Sequence, residues 1–115
     1  MNPIYYIEVD NTRYPSISID GRMHDEAWDN RESKTFRLEI GYAEAASVFT
    51  DGIKWNIVSE TSNEETNEIV TDIFDNSAFN VAGDITDHRD GTVSITMGKM
   101  TDLEEAYELL YGGEL

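Results

Sequence analysis

The chain has 115 residues, no cysteine and a formal net charge of −16 at pH 7. A chain of this length forms a single domain, here residues 1–115, and buries roughly two thirds of the surface that its unfolded state exposes, so it can fold without a metal or a disulfide. The lack of cysteine excludes disulfide scaffolds, thiolate metal sites and cysteine nucleophiles, and the negative field disfavours direct binding to nucleic acid or to an anionic membrane.

Two β-rich runs open the chain, Ile4–Val9 and Tyr14–Ile19. Four polar residues separate them, which predicts an antiparallel hairpin. Pro15 predicts an edge or an irregular start for the second strand, because proline has no backbone N–H to donate. The N-terminus lacks the basic region of a signal peptide and no apolar run approaches the roughly 20 residues of a membrane span, so we expect a cytoplasmic protein.

The middle of the chain predicts a loop, a strand, a helix and a strand. Arg22–Ser33 is polar and is typical of a loop. Lys34–Tyr42 alternates apolar and polar residues, as a half-buried strand does. Ala43–Phe49 is alanine-rich and predicts a short helix, which an Asp-Gly pair ends before the strand Ile53–Ser59.

Residues 60–76 are ambiguous, since they carry six acidic residues and no basic one. As a helix, they would place Ile69, Val70, Ile73 and Phe74 on one face. As a strand, the β-branched run from residue 69 to 73 would pair back on Ile53–Ser59. The β-branched residues favour a strand after a loop, with the helix as the alternative.

The C-terminal third predicts a hairpin and a helix. Val81–Ile85 and Thr92–Met97 are apolar or alternating runs, and Asp and Gly residues between them predict a turn with its tip near Arg89. Residues 101–104 form a capping box, and apolar residues recur at helical spacing until Gly112-Gly113. We therefore predict an α+β fold, a mainly antiparallel sheet of about five to seven strands with a short helix (43–49) and a C-terminal helix (102–111) packed on it.

One constellation could hold a divalent ion: Asp84, Asp87, His88 and Asp90. Its spacing matches neither an EF-hand loop nor a helical zinc site, and Asp and Gly are what a hairpin turn itself requires. A turn is therefore the favoured interpretation, and we predict no metal and no cofactor.

His24, beside Asp25 and Glu26, could be a general base oriented by a carboxylate. Such chemistry also needs a nucleophile and an oxyanion donor, and the sequence has no nucleophile elbow or phosphate-binding glycine loop. We predict a solvated histidine, no catalytic residue and no enzyme activity.

The two tryptophans have different predicted roles. Trp55 lies on a predicted strand among isoleucines and is expected in the core. Trp28 is the better candidate for an exposed partner-binding anchor, since aromatic residues carry much of the energy of interfaces. The alternative is that Trp28 folds back on the core.

The acidic residues are concentrated in the second half of the chain, with 14 acids against two bases after Ser59. Rows of carboxylates on one face can occupy a basic channel and release the counterions that DNA would release. A solvated face that keeps the protein soluble is the alternative. The candidate partner-binding acids are Glu64, Glu65, Glu68, Asp72, Asp102, Glu104, Glu105 and Glu108.

Two stretches carry a resemblance, residues 28–45 (WDNRESK leading to YAEA) and residues 81–99 (VAGDITDHRDGTV with MGK). They resemble uncharacterised small proteins of bacteriophage and prophage gene clusters. That resemblance implies a mobile-element origin, in which small acidic proteins are similar in character to anti-restriction and anti-CRISPR inhibitors.

These observations predict a non-enzymatic, phage-derived protein that mimics DNA and blocks the basic surface of a host nucleic-acid-binding defence protein. The alternative is a phage structural subunit, from a tail or head, that self-assembles through strand edges. The sequence leaves the oligomeric state open.

Overall fold

Seven antiparallel strands form one sheet in the computed structural model, which describes residues 3–111. The strand order is β5-β4-β1-β2-β3-β7-β6; a short 3₁₀ turn (Glu26–Trp28) and one helix lie between strands, and a second helix follows the last strand. The predicted α+β class is confirmed. The elements are β1 (Ile4–Val9), β2 (Thr12–Asp25), β3 (Arg31–Leu38), α1 (Tyr42–Val48), β4 (Asn56–Ser62), β5 (Ile69–Asp75), β6 (Val81–Asp87), β7 (Val93–Gly98) and α2 (Asp102–Tyr111).

Strand β2 joins the two halves of the sheet. Its first residues pair with β1 as far as Pro15, and from Ser16 onward it pairs with β3. A register shift between Ser16 and Ser18 follows directly after Pro15, so the irregularity predicted there is confirmed. Because β2 is long, it pairs with β1 along its first residues and with β3 along the rest of its length.

The prediction of a loop at Arg22–Ser33 is wrong. β2 continues to Asp25 and β3 already begins at Arg31, so only a short turn remains between them. The strand predicted to run to Tyr42 ends at Leu38, and Tyr42 begins α1 instead. Pairing with β7 and β2 holds these polar residues in strands, because backbone hydrogen bonds across the sheet outweigh local polarity.

The hydrophobic core lies on one face of the sheet, under α1. Phe36 is fully buried, with its ring centroid 5.1 Å from Phe49 and 5.2 Å from Trp55. Ala45 of α1 is also fully buried against this cluster. The prediction that Trp55 is a core residue is confirmed, although β4 starts one residue after it.

Helix α2 begins where the capping box predicts, but its apolar side chains are not buried. Leu103, Tyr107 and Leu110 are 82%, 64% and 62% exposed. α2 is held to the sheet through the contact of Glu104 with Arg31, and these three apolar side chains contribute little buried surface to that packing. The predicted stop at Gly112-Gly113 lies outside the described residues. Of the helices within residues 3–111, none is long and apolar enough to cross a membrane.

Candidate interaction surfaces

The ambiguous segment 60–76 forms a hairpin, in which β5 pairs antiparallel with β4. The strand interpretation of this segment is confirmed. Its turn is fixed by two asparagines: the Asn67 N–H donates to the Asn63 carbonyl at 2.7 Å, and the Asn63 side chain accepts the Glu65 N–H at 2.9 Å. Asn67 has a φ of 57°, a left-handed conformation that asparagine tolerates better than most residues.

Four of the predicted partner-binding acids lie on this hairpin and are exposed. We call them the acidic hairpin: Glu64, Glu65, Glu68 and Asp72. Among residues 3–111, no basic side chain forms an ion pair with any of them. Their charge is therefore not neutralised by the part of the chain that the structure describes.

The other four predicted acids lie on α2, away from the acidic hairpin. α2 follows β7, and four strands separate β7 from β5 in the sheet. Asp102, Glu105 and Glu108 are exposed there. The eight acids thus form two groups rather than one row, because the strand order places four strands between β5 and β7.

Glu104 is engaged within the fold, since it binds the buried Arg31. The Arg31 guanidinium donates to the two carboxylate oxygens at 2.8 and 3.1 Å, and it also donates to the carbonyls of Lys99 and Trp28. Glu104 further accepts the Thr101 N–H at 2.9 Å and donates its own N–H to the Thr101 hydroxyl, as the capping box predicts. This carboxylate holds α2 to β3 and is not available to a partner.

The contact between Glu104 and Arg31 is expected to weaken in acid. Hydrogen bonds from Arg31, and then from the Thr101 backbone, lower the pKa of Glu104 from its ordinary value of 4.5. A lowered pKa in the folded state means that the carboxylate stabilises the fold above about pH 4.5 and loses this effect as the pH falls through the folded-state pKa.

Glu104→Gln is therefore expected to lower the free energy of unfolding by about 1 kcal/mol at pH 7. This value allows for the partial exposure of the carboxylate. The difference from the unaltered chain should shrink as the pH falls from 4.5 through the folded-state pKa of Glu104, because below that pKa both side chains are neutral. Urea unfolding of both chains between pH 7 and pH 3 measures this difference in the free energy of unfolding. A difference that stays constant down to pH 3 would contradict this role of Glu104.

Trp28 folds back on the sheet and does not form an exposed anchor. It is half-buried, and its ring covers Gly83 and Gly98, where an added Cβ would come within 2.7 Å of ring atoms. The Arg31 guanidinium carbon lies 4.4 Å from the centre of the ring. Glycine at these two positions is what lets the indole approach the strand backbones.

A concave pocket of about 640 Å³ lies beside Trp28 on the face of the sheet opposite the core. Its polar lining includes Arg22, Asp25 and Asp84. Asp25 accepts hydrogen bonds from the Ser33 hydroxyl at 3.3 Å and from the Ala27 N–H at 3.2 Å. Its carboxylate is thus used in the turn between β2 and β3, and neither His24 nor His88 lines the pocket.

His88 and the aspartates beside it form local hydrogen bonds at the tip of the β6–β7 hairpin. Asp87 accepts the Arg89 N–H at 2.9 Å and Asp90 accepts the Thr92 N–H at 3.0 Å, which confirms the turn interpretation. His88 shares a 2.7 Å hydrogen bond with the Ser94 hydroxyl. Within residues 3–111, no group of three or more histidine, aspartate or glutamate side chains is placed to hold a metal ion.

Sequence signals identified the acidic residues but not their arrangement. Nothing in the sequence indicates that Arg31 binds a residue 73 positions later, or that Trp28 covers two glycines. Comparison with protein-family models, with curated proteins and with solved structures finds no match to this chain. The resemblance to phage proteins stays a prediction.

Proposed function

We propose that this protein is a non-enzymatic, phage-derived DNA mimic that acts in the cytoplasm of a host cell. It inhibits a nucleic-acid-binding defence protein by occupying that protein's basic surface. The observation that carries this proposal is the acidic hairpin, whose four exposed carboxylates have no ion-pair partner within residues 3–111.

The hairpin suits such a role because its carboxylates are displayed on an ordered turn and on the strand β5 that follows it. Hydrogen bonds of Asn63 and Thr66 fix the backbone of this turn, so binding orders less of the chain than a flexible acidic tail would. Carboxylates that replace phosphates at a basic surface release the same condensed counterions, which makes the interaction strongly salt-dependent. The net charge of −16 adds long-range attraction for a cationic partner.

A capture experiment with a DNA competitor tests the proposal. The immobilised chain is exposed to host lysate at low salt, and the bound protein is then challenged with double-stranded DNA or with a neutral polysaccharide as the control. We expect DNA and high salt to release the captured protein, while the polysaccharide leaves it bound. Capture that resists both DNA and salt would overturn the proposal.

The alternative, a self-assembling phage structural subunit, is favoured by a different observation. β5 lies at an edge of the sheet, and all seven of its residues are exposed. An exposed apolar edge strand is a template for pairing with another chain.

A further inference from the structure

The free edge of β5 is apolar on both faces of the sheet. Ile69 and Ile73 are 66% and 57% exposed on one face, and Val70 and Phe74 are each 53% exposed on the other. Natural edge strands are commonly short, charged or interrupted by proline, which prevents unwanted pairing. β5 has seven residues, and its one central charge is Asp72.

Two hydrogen bonds at the ends of the hairpin show which backbone groups of β5 face β4. The Asn76 N–H donates to the Trp55 carbonyl at 2.9 Å, and the Asn63 N–H donates to the Glu68 carbonyl at 2.8 Å. Both pairs continue the register of the two strands, so positions 70, 72 and 74 lie in hydrogen-bonded pairs with β4. Positions 69, 71, 73 and 75 then direct their N–H and C=O groups to the open edge.

We propose that β5 pairs antiparallel with β5 of a second copy of this chain, about a two-fold axis at Thr71. This pairing uses the outward-facing groups at positions 69, 71 and 73 of both copies. It places the two Thr71 residues opposite each other and places Ile69 of each copy opposite Ile73 of the other. Threonine pairs and β-branched apolar pairs are favourable cross-strand neighbours.

Repulsion between carboxylates favours this register over those with the axis at a nearby position. With the axis at Thr71, each Asp72 lies opposite Val70, and no carboxylate lies directly opposite another. An axis at position 72 would oppose the two Asp72 carboxylates, and an axis at position 70 would oppose Asp72 and Glu68. An axis at position 73 would place Phe74 opposite Asp72 and leave Ile69 beyond the paired strand.

The two copies remain like-charged, so the dimer is expected to respond to salt. In the proposed register the two Asp72 residues are diagonal neighbours at about 7–8 Å, within a Debye length of about 8 Å at physiological ionic strength. Added salt should therefore strengthen the dimer, whereas it weakens the binding of a cationic partner. The inference is independent of the proposed function, and the opposite salt responses distinguish the two.

Single-cysteine variants test the register, since the chain has no cysteine of its own. Thr71→Cys should form a disulfide-linked dimer under mild oxidation, because opposed Cα atoms in a hydrogen-bonded pair lie about 5.5 Å apart, within disulfide range. Asp72→Cys and Ile73→Cys are matched controls, whose equivalent Cα atoms are about 7 Å or more apart in this register. Faster linkage of either control than of Thr71→Cys would overturn the register.

Thr71→Pro tests the pairing without oxidation. The Thr71 N–H points away from β4, so proline removes no hydrogen bond between β4 and β5 but removes both bonds across the axis. Sedimentation in high salt should show a dimer for the unaltered chain and an affinity lowered about thirtyfold for the variant. A chain that stays monomeric at high salt and high concentration would overturn the proposal, as would equal dimerisation of the variant.

Discussion

Replacing Trp55 with alanine is expected to lower the free energy of unfolding by about 3–5 kcal/mol, the range for removing a large aromatic side chain from a core. Trp55 is 1% exposed, and its ring lies 5.2 Å from that of Phe36 and 6.5 Å from that of Phe79, centre to centre. The indole N–H also donates to the Phe79 carbonyl at 2.9 Å. The substitution would leave a cavity in the centre of the core and an unpaired carbonyl.

Urea unfolding followed by far-ultraviolet circular dichroism measures this loss. Trp28→Ala is the matched control, since it removes the same side chain from a half-buried position and should cost less. Trp55→Phe should cost less than Trp55→Ala, because it keeps an aromatic ring and loses the indole hydrogen bond. A loss below about 1 kcal/mol for Trp55→Ala would show that the core does not depend on this ring.

Reversing charges on the acidic hairpin is expected to weaken binding of the captured partner about 10- to 100-fold and to reduce its salt dependence. Glu65→Lys with Glu68→Lys changes the charge by four units at exposed positions. The physical reason is that the attraction is Coulombic and falls with the number of carboxylates facing the partner.

α2 supplies a matched control for the charge reversal. Glu105→Lys with Glu108→Lys has the same residue types, the same spacing and the same change in net charge, also at exposed positions. Titration at two salt concentrations should show the larger loss for the hairpin variant. Equal losses would mean that net charge alone, and not the hairpin, drives the interaction. A larger loss for the helix variant would move the binding surface to α2.

The acidic hairpin could be predicted in part from the sequence. The β-branched run from residue 69 to 73 predicted a strand that pairs back on β4, and the acids of that segment were expected to face a partner. The sequence did not indicate that Glu104 is engaged by Arg31. An ion pair between residues far apart in sequence cannot be predicted from local periodicity, because it depends on which elements become neighbours in the fold.

The elements that could be predicted from the sequence are those with local causes. Period-2 alternation specified the centres of the strands, the capping box specified the start of α2, and Asp and Gly residues specified the turn at Arg89, where φ is 60°. These features depend on interactions between residues a few positions apart, which a sequence displays directly.

The remaining features depend on contacts between segments that are far apart in the chain. Pairing across the sheet places most of the polar segment Arg22–Ser33 in β2 and β3. Gly83 on β6 and Gly98 on β7 leave the space in which the Trp28 ring packs against the sheet. The strand order divided the acidic residues into two groups and left β5 at an edge. Each of these outcomes depends on which distant segments lie side by side, because backbone pairing and close packing act between neighbours in space.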